Sequence, residues 1–556
     1  MQKSMTTIAA AVAFFTGVAY AADYTWMASP ADAIWNGTSL NWNSGAAWAD
    51  DASAPNNAIF PYSSSKKAIA IPPGETRSVK NMTVGGADYS FSGGDIGLTG
   101  TLLVTNVGCT ISSRIAATKA SGLDYSTSTR VSFRANSGTI NPGAGVTNIV
   151  GGLTVAGKLT ISSGVTRLGV ASNATGDSAL LYVVGNWNNY NTSSIGILDV
   201  TGGTLYATQN FFVDTRQYAQ VTVKNGGKVY MPSAEWLNGL YNPSRLTISD
   251  GGEFLVATLR VCSSSASQVN LNEGGLMALN NMAIYVTNTK QAKFLFNGGR
   301  IQSRDGRDNF LAPSSSSATE EQWNAAVKFA VGEGGAVFDT TNGKNIKWSR
   351  PLLSDAAHDG GIRVIGDEIL VFTHTNGYNG VTRVDSGAIQ LRVDNALPPG
   401  STVRLGKADA YIDGWTFTSP GRQTVQWMHR LEGNGYLSAC ENMHVTNSVA
   451  PAANGSLMFK QVCDLRGDYE ISADANGCGF LDVRGANQPI SGLTLKVADI
   501  SAFDGEAART TYKILEAPNG YTGTFAAGNL ADPWYVKYTP TAAYIVCRKG
   551  MTISVR

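Results

Sequence analysis

Between residues 198 and 339, apolar and polar residues alternate in short bursts, and each burst is broken at the same place by glycine. The segments read LDVTGGTLYA, VTVKNGGKVYM, LTISDGGEFLV, VNLNEGGLMAL, FLFNGGRIQS and FAVGEGGAVFD. Alternation of period two puts neighbouring side chains on opposite faces of a strand. The pattern therefore predicts pairs of short strands hinged at glycine. The hinges are Gly202 and Gly203, Gly226 and Gly227, Gly251 and Gly252, Gly274 and Gly275, Gly298 and Gly299, and a sixth pair beginning at Gly334. Their spacings are 24, 25, 23, 24 and 36 residues. A fixed period in this range marks a solenoid.

One coil of that length cannot bury its apolar face alone, but stacked coils at the inter-strand spacing of about 4.8 Å align those faces into a continuous core. The expected inward set is Val200, Val223, Ile248, Leu271 and Phe296 before the glycines. Leu205, Val229, Phe254, Met277, Ile301 and Val337 follow them. Glycine suits the corner because it turns freely and carries no side chain to strike the next coil. The polar residue before each pair (Thr201, Asn225, Asp250, Glu273, Asn297, Glu333) is expected to stand in solvent. The long gap holds DGRDNFLAPSSSSATEEQWNAAVK, where Thr319 and Gln322 have capping-box spacing. Residues 303–328 are therefore read as a loop insertion with a short helix over residues 323–327.

Helical periodicity is nearly absent elsewhere, which argues against a doubly wound α/β fold. A β-propeller or a string of sandwiches calls for longer hairpin-connected strands. The predicted fold is all-β: a right-handed parallel β-helix (β-solenoid) with capped ends and one insertion. Residues 1–21 read as a signal peptide, 22–110 as an N-terminal cap with the first coils, and 111–439 as the β-helix. Residues 440–556 read as further coils or a terminal cap, two alternatives the pattern leaves open.

The leader reading rests on Lys3, a short apolar run over residues 8–18 and the small-residue cleavage signal Ala19-Tyr20-Ala21. That run is too short to span a bilayer and no later segment reaches roughly 18 uninterrupted apolar residues, so the mature chain is expected to be exported and not membrane-spanning. The formal net charge is +1, and Lys3 is the only charged residue of the leader, so the mature chain is balanced. Such a surface gives no long-range attraction for nucleic acid or anionic lipid. The apolar content of 43% is enough to fill a core. Six cysteines (Cys109, Cys262, Cys440, Cys463, Cys478, Cys547) are expected to be small buried hydrophobes, with one bridge in the C-terminal third.

Residues 366–391, GDEILVFTHTNGYNGVTRVDSGAIQL, resemble the autotransporter-associated β-strand repeat, also called the passenger-associated transport repeat. Gly366, Leu370, Phe372, Asn376, Tyr378, Gly380, Thr382, Val384, Gly387, Ile389 and Leu391 occupy its positions, and DNALPPGSTVRLG continues it to residue 406. The resemblance implies a secreted β-helical passenger displayed at the surface of Gram-negative-type bacteria. Asn376 and the glycines are expected to form a tight corner, with Tyr378 stacking on an equivalent ring or covering the coil edge. An autotransporter should end in a β-barrel, and the final residues offer at most three strands. Export by another route, retention in the periplasm or assembly with partners is expected instead.

Candidate chemistry is sparse. Trp26, Trp35, Trp42 and Trp48 open the mature chain. Aromatics of this kind can stack on sugar rings, but the open end of a solenoid also needs a cap, and the cap is the favoured reading. Trp187, Asn189 and Tyr190, in GNWNNYNTSSIG, are weak glycan-binding candidates, with a self-packed surface loop as the alternative. The four histidines show no metal-ligand spacing, and no catalytic residue, metal or cofactor is assigned. A β-helical polysaccharide lyase or glycosidase would need an acidic cluster or a Ca²⁺-plus-base groove spanning several coils. The nearest groupings are Asp305, Arg307 and Asp308, and Asp355, His358 and Asp359.

The leading expectation is thus a non-enzymatic, adhesin-like surface or matrix protein that binds glycans or a host or neighbouring cell surface weakly and multivalently. The runner-up is a β-helical polysaccharide lyase or glycoside hydrolase, which requires carboxylates and Lys or Arg from three or more coils converging in one groove. A self-assembling sheath subunit is the third reading.

Overall fold

A computed structural model describes residues 21–547 except 53, 106–107, 118–129, 134–137, 151, 169–180, 185–194, 208–211, 239–242, 263–266, 286–290, 307–309, 314–318, 417–422, 475–476, 499–510 and 531. Strand accounts for 59% of the described residues and helix for 2%, which leaves no helical layer among them; the strands wind into a parallel β-solenoid of about 15 turns. Each central coil contributes three strand segments, so three parallel ladders run the length of the molecule. Gln268–Asn272 lies between Arg245–Ile248 and Ala292–Asn297 on the first side. Residues 276–279 lie between 253–256 and Arg300–Ser303 on the second, and residues 282–284 lie between 259–261 and Leu311–Pro313 on the third. Among the described residues, no helix is long and apolar enough to cross a membrane.

The predicted columns form. Val200, Val223, Ile248, Leu271 and Phe296 stand in register and buried on the first side. Leu205, Val229, Phe254, Met277 and Ile301 do the same on the second. The last place is a correction. Phe338, not Val337, stands over Ile301, while Val337 pairs with Arg300. The corner there, Val331 to Phe338, is two residues longer than Phe296 to Ile301 beneath it, and its left-handed residue is the second glycine, Gly335 (φ 78°), where the preceding corners use the first. The larger ring at 338 fills the space beside Trp348, with ring centres 5.3 Å apart at 74°.

The two glycines of a pair do different work. Gly226 has φ 74° and closes a turn in which the Gly227 N–H donates to the Lys224 carbonyl at 2.9 Å. Gly227 sits against the coil beneath, where an added Cβ would lie 2.0 Å from the Val200 carbonyl oxygen. The polar residues ahead of the pairs stand exposed or half-buried.

The insertion is also corrected. The helix is Glu320–Ala326, starting earlier than the expected residues 323–327, with the Thr319 and Gln322 capping box formed. Leu311–Pro313 pairs in parallel with the preceding coil and Val327 already belongs to the next strand. Residues 303–328 therefore include one side of an ordinary coil, and the helix with its flanks is the true excess.

In the 366–406 repeat, the Asn376 amide joins three coils: Oδ1 accepts the Leu352 N–H at 2.8 Å and Nδ2 donates to the Ala396 carbonyl at 2.7 Å. Tyr378 is buried and its hydroxyl lies 2.5 Å from that of Thr382, so it pins the start of the next strand from inside the coil. Gly387 takes the left-handed conformation, and a Cβ at Gly380 would meet the Gly361 nitrogen at 2.2 Å.

At the N-terminal end, Trp26, Trp35, Trp42 and Trp48 are all buried beneath the first coil, packed on each other and on Phe60. Their faces are covered by neighbouring rings, which fits the cap. At the other end the ladders run through residue 440 without a break: Gln426–Ser438 pairs with Met443–Pro451, and Gly467–Ile471 with Leu493–Val497. A short antiparallel pair, Ala473–Asp474 with Gly477–Cys478, stands beside the ladders, and the last strands of the main sheet turn antiparallel, where Ala542–Cys547 pairs with Thr511–Glu516 and with Trp534–Thr539. The C-terminal region thus runs as parallel coils first and antiparallel strands at the end. Cys109, Cys440, Cys463, Cys478 and Cys547 are free thiols, so the expected bridge is not formed among these five.

Candidate functional site

On the second side of the coils, outward positions form columns as regular as the inward ones. Between buried Ile362 and Val364, Arg363 points out; Arg383 does so between Thr382 and Val384, and Arg404 between Val403 and Leu405. The register places Arg363 beside Arg383, Arg383 beside Arg404, and Arg404 beside Glu432. Neighbouring guanidinium groups one strand spacing apart, about 4.8 Å, would repel if nothing lay between them.

Three carboxylates resolve this. Asp385 accepts from Arg363 Nε at 2.6 Å and Arg383 Nε at 2.8 Å. Glu432 accepts from Arg404 Nε at 2.5 Å and Arg430 Nε at 2.7 Å. Glu470 takes the Arg430 fork with both oxygens, at 2.6 and 2.7 Å, the planar bidentate match that favours arginine over lysine. Hydrogen bonding to Glu470 holds the Arg430 guanidinium protonated far above its ordinary range. For Glu432, burial pushes the carboxyl up, but hydrogen bonds from Arg430 and Arg404 outweigh it and hold it below its usual value.

That depression has a sign. A carboxyl whose folded pKa lies below its unfolded one contributes stability above its ordinary value of 4.5, and the contribution is lost as pH falls through the folded pKa. Urea unfolding followed at pH 7 and pH 3 should therefore show a smaller loss of midpoint for Glu432→Gln than for the parent chain. Equal losses would remove Glu432 from the acid response.

The column borders open space. One hollow of about 430 Å³ is lined by Arg383, Asp385, Arg404, Arg430, Glu432 and Glu470. A second, of about 460 Å³, shares Arg383 and Arg404, adds Arg363 and Glu273, and is lined along the corner by Gly334, Gly335, Gly360 and Gly361. Corner glycines that permit close stacking of the coils thus also leave a trough beside the arginines. Together the two hollows form a groove across successive coils.

The sequence candidates fall elsewhere. Trp187, Asn189 and Tyr190 lie outside the described residues, as do Arg307 and Asp308. Asp359 is buried and accepts the N–H groups of Gly361, Asn379 and Gly380 at 2.6–2.8 Å, which makes it a corner brace. Asp355 pairs with Lys293 and Lys328 at 2.6 and 3.4 Å; burial pushes its carboxyl up, but these two ammonium groups hold it below the ordinary range. His358 is exposed. Among the described residues, no three His, Cys, Asp or Glu side chains gather closely enough to hold a metal ion. The arginine column was not singled out from the sequence, although IRV, TRV and VRL recur at one place in three consecutive coils.

Fold and groove together define a parallel β-solenoid with a charged trough along one lateral side. Compared with known proteins, the chain matches no family model and no curated protein.

Proposed function

We propose that this chain is an exported, non-catalytic β-solenoid of the cell exterior, whose lateral face makes weak, multivalent contacts with glycans or a neighbouring cell surface. It resembles the autotransporter-associated repeat over residues 366–406, and that resemblance is part of the reading. The observation that carries it is the charged groove, in which Asp385, Glu432 and Glu470 are each held by arginine. A carboxylate committed to two guanidinium groups, with a depressed pKa in the case of Glu432, is a poor general acid near neutral pH.

The same groove also favours one second reading. Carboxylates and arginines from successive coils are what a β-helical polysaccharide lyase or hydrolase would require. One experiment separates the two. The chain from residue 22 onward, as monomer and as a streptavidin-linked tetramer, is passed over glycan-coated surfaces, and the spent glycans are assayed for new reducing ends and unsaturated sugars. The adhesive reading expects retention about 10²-fold stronger for the tetramer, with intact glycans. New chain ends would establish the enzyme, and no retention at either valency would overturn adhesion. Fractionation of expressing cells tests the external location, with recovery in the cytoplasm as the contrary result.

A further inference from the structure

We propose that the groove formed by Arg363, Arg383, Arg404 and Arg430 binds an acidic polysaccharide, a glycan chain bearing carboxylate or sulfate groups, laid across the coils along the solenoid axis. The inference rests on the adhesive reading above and specifies its ligand.

Donor capacity is the first argument. Each guanidinium has five N–H donors in a planar fork that fits carboxylate and sulfate alike. The pairs with Asp385 and Glu432 engage Arg363, Arg383 and Arg404 chiefly through one edge. These side chains remain 52%, 48% and 46% exposed, so much of each fork faces the groove. Charge is the second. Four guanidinium groups meet three carboxylates, and each of Asp385 and Glu432 is divided between two arginines. The arginine column itself therefore keeps a local positive excess, with one further carboxylate, Glu273, across the corner in the second hollow.

Shape is the third. Arg363, Arg383 and Arg404, one per coil at about 4.8 Å, present a line of cations, with Arg430 two residues off that line beside Thr402, and a linear polymer with regularly spaced acidic groups can follow it. The two hollows share Arg383 and Arg404, so the trough runs on past any single sugar unit. A nucleic acid fits less well. Single strands bind through open aromatic faces beside a strongly basic groove. Across the next corner, Tyr411 and Tyr436 are stacked on each other, ring centres 4.6 Å apart at 6°, with Lys460 over the Tyr436 ring at 4.1 Å. The faces these rings turn to each other, and the far face of Tyr436, are already covered.

The test uses affinity electrophoresis of the chain from residue 22 onward in gels containing chondroitin sulfate, polygalacturonate, neutral dextran or single-stranded DNA. Retardation by the two acidic glycans, relieved by salt, is expected, with none by dextran. The double variant Arg383→Gln, Arg404→Gln should weaken that retardation about tenfold or more, while Lys228→Gln, on an earlier coil, leaves it unchanged. Asp385→Asn frees two forks and should strengthen it, a gain that misfolding cannot imitate. Thermal unfolding of each variant confirms folding. Equal retardation of the folded double variant, or stronger retardation by DNA, overturns the proposal. Retardation by dextran alone overturns the acidic ligand while sparing adhesion, and no retardation in any glycan gel overturns both.

Discussion

Gly227→Ala is expected to cost far more stability than Gly226→Ala, although the two glycines are adjacent in the same corner. Gly226 sits at φ 74° with nothing within 4 Å of an added Cβ, so alanine there meets only the left-handed backbone penalty, about 1–2 kcal/mol. Asparagine should be tolerated better still, since Asn225 already adopts φ 52° next door. At Gly227 an added Cβ would stand 2.0 Å from the Val200 oxygen and 2.5 Å from its carbon, both rigid backbone of the coil beneath. Relief requires the coils to separate, which stretches the bond from the Lys228 N–H to the Gly203 carbonyl, now 2.9 Å. Overpacking of this kind costs about 3 kcal/mol or more. Because each coil touches only its neighbours, the loss should appear as a new early transition in urea unfolding, with proteolytic cuts near residues 200–230. If the two alanine variants unfold alike, or Gly226→Ala is the worse, close stacking is not what the second glycine provides.

The same division explains what could be read from the chain and what could not. Period and inward columns were legible because burial acts on every coil in the same way, and Val223, Ile248 and Leu271 repeat one solution. The slip from Val337 to Phe338 was not, because both are apolar and only the bulk of Trp348 in the same coil decides between them. The extra side hidden in residues 303–328 was missed for a related reason. Leu-Ala-Pro at 311–313 is too short to alternate visibly, and its pairing with Met282–Ile284 is a fact of three dimensions. The groove had a faint signal in IRV, TRV and VRL, but arginine in an outward position is ordinary until the register sets three side by side. Glu470 could not be anticipated at all, since it reaches Arg430 from 40 residues away.

Trp42→Ala should destabilise the N-terminal end by about 3–5 kcal/mol, as removal of a fully buried large ring does, and should convert a monodisperse chain into an aggregating one. Trp42 has no exposed surface and lies 4.9–5.3 Å from the rings of Trp26, Trp35, Trp48 and Phe60. Removing it leaves those four around a void. Asp23–Thr25 pairs with residues 57–59 only while this cluster holds it in place, and Trp26 is tied to the Ile59 carbonyl by its N–H at 2.8 Å. Once that strand frays, Asn56–Phe60 becomes an unpaired edge with an apolar core open above it, the arrangement most prone to pairing with another chain. Tryptophan fluorescence should report an early transition, and light scattering should rise with protein concentration at temperatures where the parent chain stays monodisperse. Trp42→Phe keeps most of the ring volume and should restore much of the loss. A sugar-stacking role for these rings predicts the opposite split, unchanged unfolding with weakened glycan retention, and that result would remove the cap from the account of how the solenoid ends.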